Sequence, residues 1–186
     1  KKDRSVVTWG DSTKGGDSSA VANDLSYGVM EISSNDYAFA ALKSDGSVVT
    51  WGPSTFPSWD SSSVASDLSS GVKKIYWNRW SFAALKTDGS VVTWGRAQTG
   101  GTSSVVQTIG MNEYKATSVA SELSSGVTKI FSGEGAFAAL KSDGSVVTWG
   151  GPSVGGDSSS VADDLNSSTF AFQDSHEFLI TVADTN

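Results

Sequence analysis

Ala41-Leu42-Lys43-Ser44-Asp45-Gly46-Ser47-Val48-Val49-Thr50-Trp51-Gly52 decides how the rest of the chain is read. The stretch returns at 84–95, with Thr87 in place of Ser, and at 139–150. A partial copy, Ser5-Val6-Val7-Thr8-Trp9-Gly10, lies near the start. Trp9, Trp51, Trp94 and Trp149 mark the period, with spacings of 42, 43 and 55 residues, and at one framework position they read as core or inter-blade packing. Self-similarity at such a period means that one small unit is stacked or arrayed several times. Within the stretch, Asp-Gly between two apolar runs is a hairpin signal, because Asp accepts from the turn backbone and Gly supplies positive φ. Val-Val-Thr-Trp after it is a strand of β-branched and aromatic residues.

Working outward, the last copy shows the whole unit. Residues 126–131 are an apolar run bounded by Gly, hence a first strand. Ser132-Gly133-Glu134-Gly135 is a turn, and 136–141 is a second strand whose Ala residues suit a crowded place between sheets. Residues 146–149 are the third. A connector follows, with Val-Ala-x-x-Leu at 161–165, 21–25, 64–68 and 119–123. It reads as a short helical turn capped by the preceding Ser, or as an irregular fourth strand.

Three antiparallel strands end on the side opposite their start, so each connector has to cross back. That fits radially arranged blades; a β-solenoid is the alternative. The fold expected is an all-β, propeller-like array of four repeats of about 43 residues in one domain spanning 1–186. The units fall at about 5–45, 46–88, 89–143 and 144–186. Phe178-Leu179-Ile180-Thr181-Val182 aligns with a second strand and 5–10 with a third. Pairing of the N- and C-terminal strands (closure by 1–10) is therefore expected, and it would leave no open sheet edge. A cut from a longer array, such as a seven-bladed propeller, is the other reading of the same ends.

Composition narrows the function classes. Net charge is −7, and no basic run is present. An acidic chain is ill suited to nucleic acid or to an anionic bilayer surface. No apolar run reaches the length of a membrane span, so direct membrane insertion is not expected. With no Cys, disulfides and thiolate metal sites are excluded. Asp45, Asp88 and Asp143 each bring one carboxylate, short of the six to eight oxygens calcium takes, so they read as turn residues. No metal or cofactor is expected. His176 has no nucleophile or second base patterned with it, and an enzyme is not expected. Gly-Gly-Asp-Ser-Ser lacks the Gly-Lys-Ser/Thr ending of a phosphate loop.

Repeats of the form Ala-Leu-x-x-Asp-Gly-x-Val-x-x-Trp-Gly resemble those of the regulator-of-chromosome-condensation propeller superfamily, in every unit of the chain. The repeat length is closer to that of propeller-type β-lactamase inhibitor proteins. Val-Val-Thr-Trp-Gly with Gly-Gly-Asp-Ser-Ser is also similar to repeat proteins of marine microbes and algae. Many members carry His just before the second strand, where this chain has Ala38, Ser81 and Ala136. The resemblance implies a binding scaffold and carries over no particular partner.

Recognition is expected where the repeats disagree, because framework positions are held by packing and loop positions are free. The first turns read Ser34-Asn35-Asp36-Tyr37, Trp77-Asn78-Arg79-Trp80, Ser132-Gly133-Glu134-Gly135 and about Gln173-Asp174-Ser175-His176. They place Asp36, Tyr37, Trp77, Asn78, Arg79, Trp80, Glu134, Asp174 and His176 on one face. Trp, Tyr and Arg are enriched at binding hot spots. The competing reading is that one Trp merely plugs a central channel. Residues 105–114, with Ile109, Met111 and Tyr114, form a second candidate contact; Phe56, Pro57 and Trp59 form a third. The expected function is a non-enzymatic scaffold binding a protein partner, in an extracellular or cell-surface setting. A carbohydrate-binding module and a structural repeat of a surface fibre or large assembly are the alternatives.

Overall fold

A computed structural model describes residues 3–53, 61–110, 113–162 and 165. Its first unit is a three-stranded antiparallel sheet of β1 (Val29–Ser34), β2 (Phe39–Lys43) and β3 (Val48–Trp51). The second is β4 (Val72–Trp77), β5 (Ser81–Lys86) and β6 (Val91–Gly95). A hairpin of β7 (Ser104–Gly110) and β8 (Glu113–Ser118) comes next, then β9 (Val127–Ser132), β10 (Ala136–Lys141) and β11 (Val146–Gly150). The third sheet runs β8-β7-β11-β10-β9, because β7 lies parallel to β11 with Val105 opposite Gly150. The expected contact loop at 105–114 is thus largely a hairpin that widens the third sheet. Its chain ends are tied where Val119 N–H donates to the Ser103 carbonyl at 2.9 Å.

The Asp-Gly turns form as the sequence indicates. Asp45 Oδ1 accepts from the Ser47 amide at 2.9 Å and the Ser47 hydroxyl at 2.6 Å. Asp88 with Ser90 and Asp143 with Ser145 repeat the pattern. These bonds, the hydroxyl's first, hold all three carboxyls below the usual aspartate pKa. Gly46, Gly89 and Gly144 have φ of 80°, 81° and 88°. The turn also joins units: Val72 N–H donates to the Gly46 carbonyl and Val127 N–H to that of Gly89. Upstream in the motif, Lys86 Nζ reaches the Asp67 carbonyl at 2.8 Å and Lys141 Nζ that of Glu122 at 2.7 Å. Leu-Lys-Ser/Thr-Asp-Gly therefore recurs as a block because its residues bind the neighbouring connector as well as each other.

The core lies between units. Ala38, Ala40 and Leu42 pack on Leu68, Val72, Ile75, Phe82, Ala84 and Trp94 of the second unit. Ala83 and Leu85 pack likewise on Leu123, Val127, Ile130, Phe137, Ala139 and Trp149 of the third. Small Ala side chains let one sheet approach the aromatic face of the next. Each Trp stacks on the Phe opposite it, at 5.2 Å for Phe39–Trp51, 5.1 Å for Phe82–Trp94 and 5.3 Å for Phe137–Trp149. Trp51 Nε1–H donates to the Gly15 carbonyl at 3.0 Å, and Trp149 Nε1–H to that of Gly100 at 3.2 Å. The connector leaving one unit thereby caps the aromatic pair of the next.

Each such connector doubles back after Trp-Gly. The turns Ser12–Lys14, Ala97–Thr99 and Pro152–Val154 end at Gly15, Gly100 and Gly155 in the left-handed region. A second Gly then lies against the backbone of the Trp-Gly glycine, as Gly101 does on Gly95. Three of the Val-Ala-x-x-Leu segments begin as single 3-10 turns, at Ser19–Val21, Ser62–Val64 and Ser159–Val161. The expected Ser caps are corrected: Ser18, Ser61 and Ser158 make no cap bond. Their hydroxyls instead meet those of Thr8, Thr50 and Thr148 at 2.8, 2.7 and 3.0 Å. The capping oxygen comes from Asp17 and Asp157, which accept from the Ser19 and Ser159 amides. A carboxylate one residue earlier reaches that amide while the hydroxyl is drawn to the strand.

Residues 4–9 form no strand assignment of their own, yet they dock as a third strand does. Val6 N–H donates to the Leu25 carbonyl and Val29 N–H to that of Arg4, both at 3.0 Å. Trp9 departs from the expected framework burial: it is 84% exposed, whereas Trp51, Trp94 and Trp149 are buried. Those three are covered by a cross-strand Phe, and Trp9 has no such strand beside it among the described residues. The expected pairing of 5–10 with the segment near Val182 falls outside the described residues. Arg4 holds the place of the turn glycine and has φ of 58°, a region unfavourable to side chains with Cβ. Arg4→Gly is expected to raise stability by about 0.5–1 kcal/mol. An unchanged or lower midpoint in urea would count against the assignment.

A surface at the first turns

The turns between first and second strands come together as a group. In the first, Asn35 Oδ1 accepts from the Tyr37 and Ala38 amides at 3.0 and 2.9 Å. In the second, Asn78 Oδ1 does the same for Trp80 and Ser81, and its Nδ2 donates to the Thr99 carbonyl at 2.7 Å. Such local bonds to backbone are what favour Asn in turns. Asn78 is only 5% exposed, which corrects its expected place on the binding surface: it builds the turn and ties it to the connector.

Around these scaffolds the variable side chains meet across units. Arg79 Nε lies 2.9 Å from Asp36 Oδ2, joining the second turn to the first. Both groups are about half exposed, so solvent screens the pair and it adds little to stability. Asp36 raises the Arg79 pKa, first through the hydrogen bond and then through its charge, and Glu134 of the third turn adds a smaller push. Tyr37 stacks on Trp80 with ring centroids 4.9 Å apart and planes 22° from parallel. Arg79 and Arg96 lie over the Trp80 ring at 5.0 and 5.6 Å, and Lys14 lies over Tyr37 at 5.2 Å. Trp77 stands at the end of β4 with 42% of its surface exposed. A shallow depression of about 430 Å³ runs between Ser34, Asn35, Asp36, Trp77, Asn78 and Arg79.

Asp36, Tyr37, Trp77, Arg79, Trp80 and Glu134 thus lie on turns of one kind, and the first five make a connected patch. Tyr37 and Trp80 are half-buried and pack on the core between the first two units, so they also have a structural part. Asp174, His176, Phe56, Pro57 and Trp59 lie outside the described residues. Lys14 and Arg96 were not anticipated. They sit in connectors, five and two residues after a Trp, at places where the repeats also differ. That disagreement is the signal that would have found them. Among the described residues no cluster of His, Cys, Asp and Glu has the makings of a metal site.

No protein-family model and no curated protein matches the chain. Among solved structures it is similar to Prp20p of Saccharomyces cerevisiae, described with its binding properties to Gsp1p and histones, at 19% identity and a TM-score of 0.43. It is similar also to the CRINKLY WD40 ectodomain of the Arabidopsis thaliana receptor kinase ACR4, at 19% and 0.37, and to human WBSCR16, at 22% and 0.37. In each case 66% of this chain is covered, but only 30%, 36% and 34% of the other. The chain spans about a third of the length of these proteins. Among the described residues, the chain is an all-β array of three units of three antiparallel strands, the third widened by the β7–β8 hairpin, and its repeats resemble those of regulator-of-chromosome-condensation propellers.

Proposed function

We propose that the chain is a non-enzymatic binding module that takes a protein partner on its first-turn surface. The observation that carries this is the exposed Trp77, which borders one depression with the Arg79–Asp36 pair. The third unit manages the same turn with Ser132, Gly133 and Gly135, so large aromatic and charged residues are not required by the framework. Trp and Arg set in a polar rim have the composition of a hot spot. Trp77 is the clean probe, because its ring is not in the core between units. Once a partner is in hand, Trp77→Ala is expected to weaken binding by about 2 kcal/mol, roughly thirtyfold. Calorimetric titration would measure it, with the melting midpoint within a degree or two of the parent. Equal affinity for the parent and Trp77→Ala would remove Trp77 from the site.

One observation favours a sugar as second reading: an exposed indole borders a shallow polar depression. Sugar rings stack on such a face while hydroxyls bond to Asp and Arg. A glycan array probed with the parent and Trp77→Ala separates the two readings, since a glycan signal lost in the variant would assign the surface to carbohydrate.

A further inference from the structure

Lys14 lies over the Tyr37 ring at 5.2 Å and Arg96 over the Trp80 ring at 5.6 Å. The two rings stack on each other, so both cations belong to one column that crosses from the first unit to the second. Both are exposed. Among the described residues neither makes an ion pair. Nearby carboxylates are engaged elsewhere: Asp36 with Arg79, and Asp11 with the Thr13 amide and hydroxyl. Arg96 Nε makes a long bond of 3.4 Å to Gln98 Oε1. The connectors have no need of either charge. Lys14 stands where the other connectors have Thr99 and Val154, and Arg96 where they have Asp11 and Gly151. In a chain of net charge −7, cations placed this way are a local exception. A ring beneath each limits its motion, so little freedom is left to lose when an anion arrives.

We infer that the partner meets this surface with a peptide segment bearing two carboxylates, one for the Arg96 guanidinium and one for the Lys14 ammonium, beside an apolar side chain that covers Trp77. This rests on the reading of the first-turn surface as a site for a protein, and it names the chemistry of that protein. A guanidinium fork fits a carboxylate with two parallel N–H···O bonds, and an ammonium adds a point charge. Charges of this kind set the rate of encounter and the register, while Trp77 supplies contact area. A dense polyanion fits less well. Asp36 and Glu134 lie on the same set of turns, and the chain as a whole carries the wrong sign for a phosphate or sulfate polymer. A peptide with two spaced carboxylates places its charge at the two cations and nowhere else.

A phage-displayed library of random peptides, panned on the full chain and counter-selected on Trp77→Ala, supplies the probes. Selected peptides are expected to share two Asp or Glu residues and an aromatic or aliphatic one. Made synthetically and followed by fluorescence polarisation, they are expected to bind Lys14→Glu and Arg96→Glu about tenfold more weakly each. High salt should weaken binding to the parent by a similar factor. The double variant Lys14→Glu/Arg96→Glu is expected to prefer the same peptides with Lys in place of the acids, a reversal that a merely structural role for the cations would not produce. If either Glu variant melts below the parent, Lys14→Gln and Arg96→Gln repeat the comparison by removing charge alone. Peptides that need Trp77 yet carry no acids, or that bind the parent and the charge variants equally, overturn this inference and leave the protein-binding surface standing. Selection that yields no Trp77-dependent peptide overturns both. Heparin that binds the parent and not the double variant, in place of any peptide, assigns the cations to an anionic glycan and overturns the inference as well.

Discussion

Trp149→Ala is expected to destabilise the protein by about 3–5 kcal/mol, the range for emptying a large buried aromatic site. Trp149 is fully buried, stacks on Phe137, and donates to the Gly100 carbonyl. It therefore joins the third unit both to its own sheet and to the connector arriving from the second. Trp149→Phe separates the two contributions. Phe keeps most of the stacking but leaves the buried Gly100 carbonyl without its donor, a loss of about 1–3 kcal/mol. Urea titration followed by circular dichroism would measure both. A cost under about 1 kcal/mol for Trp149→Ala would mean that the aromatic pair is not what holds successive units together.

Gly101→Ala should cost about 2–3 kcal/mol through steric conflict alone. A Cβ there would run into the backbone of Gly95, where the connector doubles back on the Trp-Gly corner. Backbone on both sides cannot yield as a side-chain tip can. Gly144→Ala is the comparison: nothing lies within 4 Å of its Cβ position, but φ is +88°. It should cost about 1–2 kcal/mol, the conformational penalty by itself. Thermal melts of the two variants side by side decide the point, and a Gly101→Ala midpoint no lower than that of Gly144→Ala would refute the close approach.

What the sequence discloses and what it hides divide along a physical line. Asp45-Gly46 and Val48-Val49-Thr50-Trp51 are read correctly because turn chemistry and β-branching act within a few residues. Position in the array is not written locally. Trp9 and Trp51 sit in the same text, yet one is exposed and the other buried, because burial depends on which strand lies alongside. Asn78 misleads for another reason: an amide that serves its own turn looks, in sequence, like one that serves a ligand. Ser18 was credited with a cap that Asp17 makes, since both can reach a free amide and only the Thr8 hydroxyl decides between them. The pairing of β7 with β11 could not be foreseen from repeats, because that hairpin has no counterpart elsewhere among the described residues.

That hairpin has a consequence for engineering. It is spliced between Ser103 and Val119, whose amide-to-carbonyl bond closes the neck, and the Thr93–Ser103 hydroxyl contact upstream is kept at 3.1 Å. The chain can thus leave the framework at Ser103 and rejoin it at Val119, a replacement losing the pairing of Val105 with Gly150 at the edge of β11. Closing a longer excursion at such a neck costs only about 0.6 kcal/mol for each doubling of its length. The same neck is the place at which to graft a foreign epitope, a protease site or a fluorescent-protein fusion, with the tryptophan-capped array beneath serving as a fixed mount.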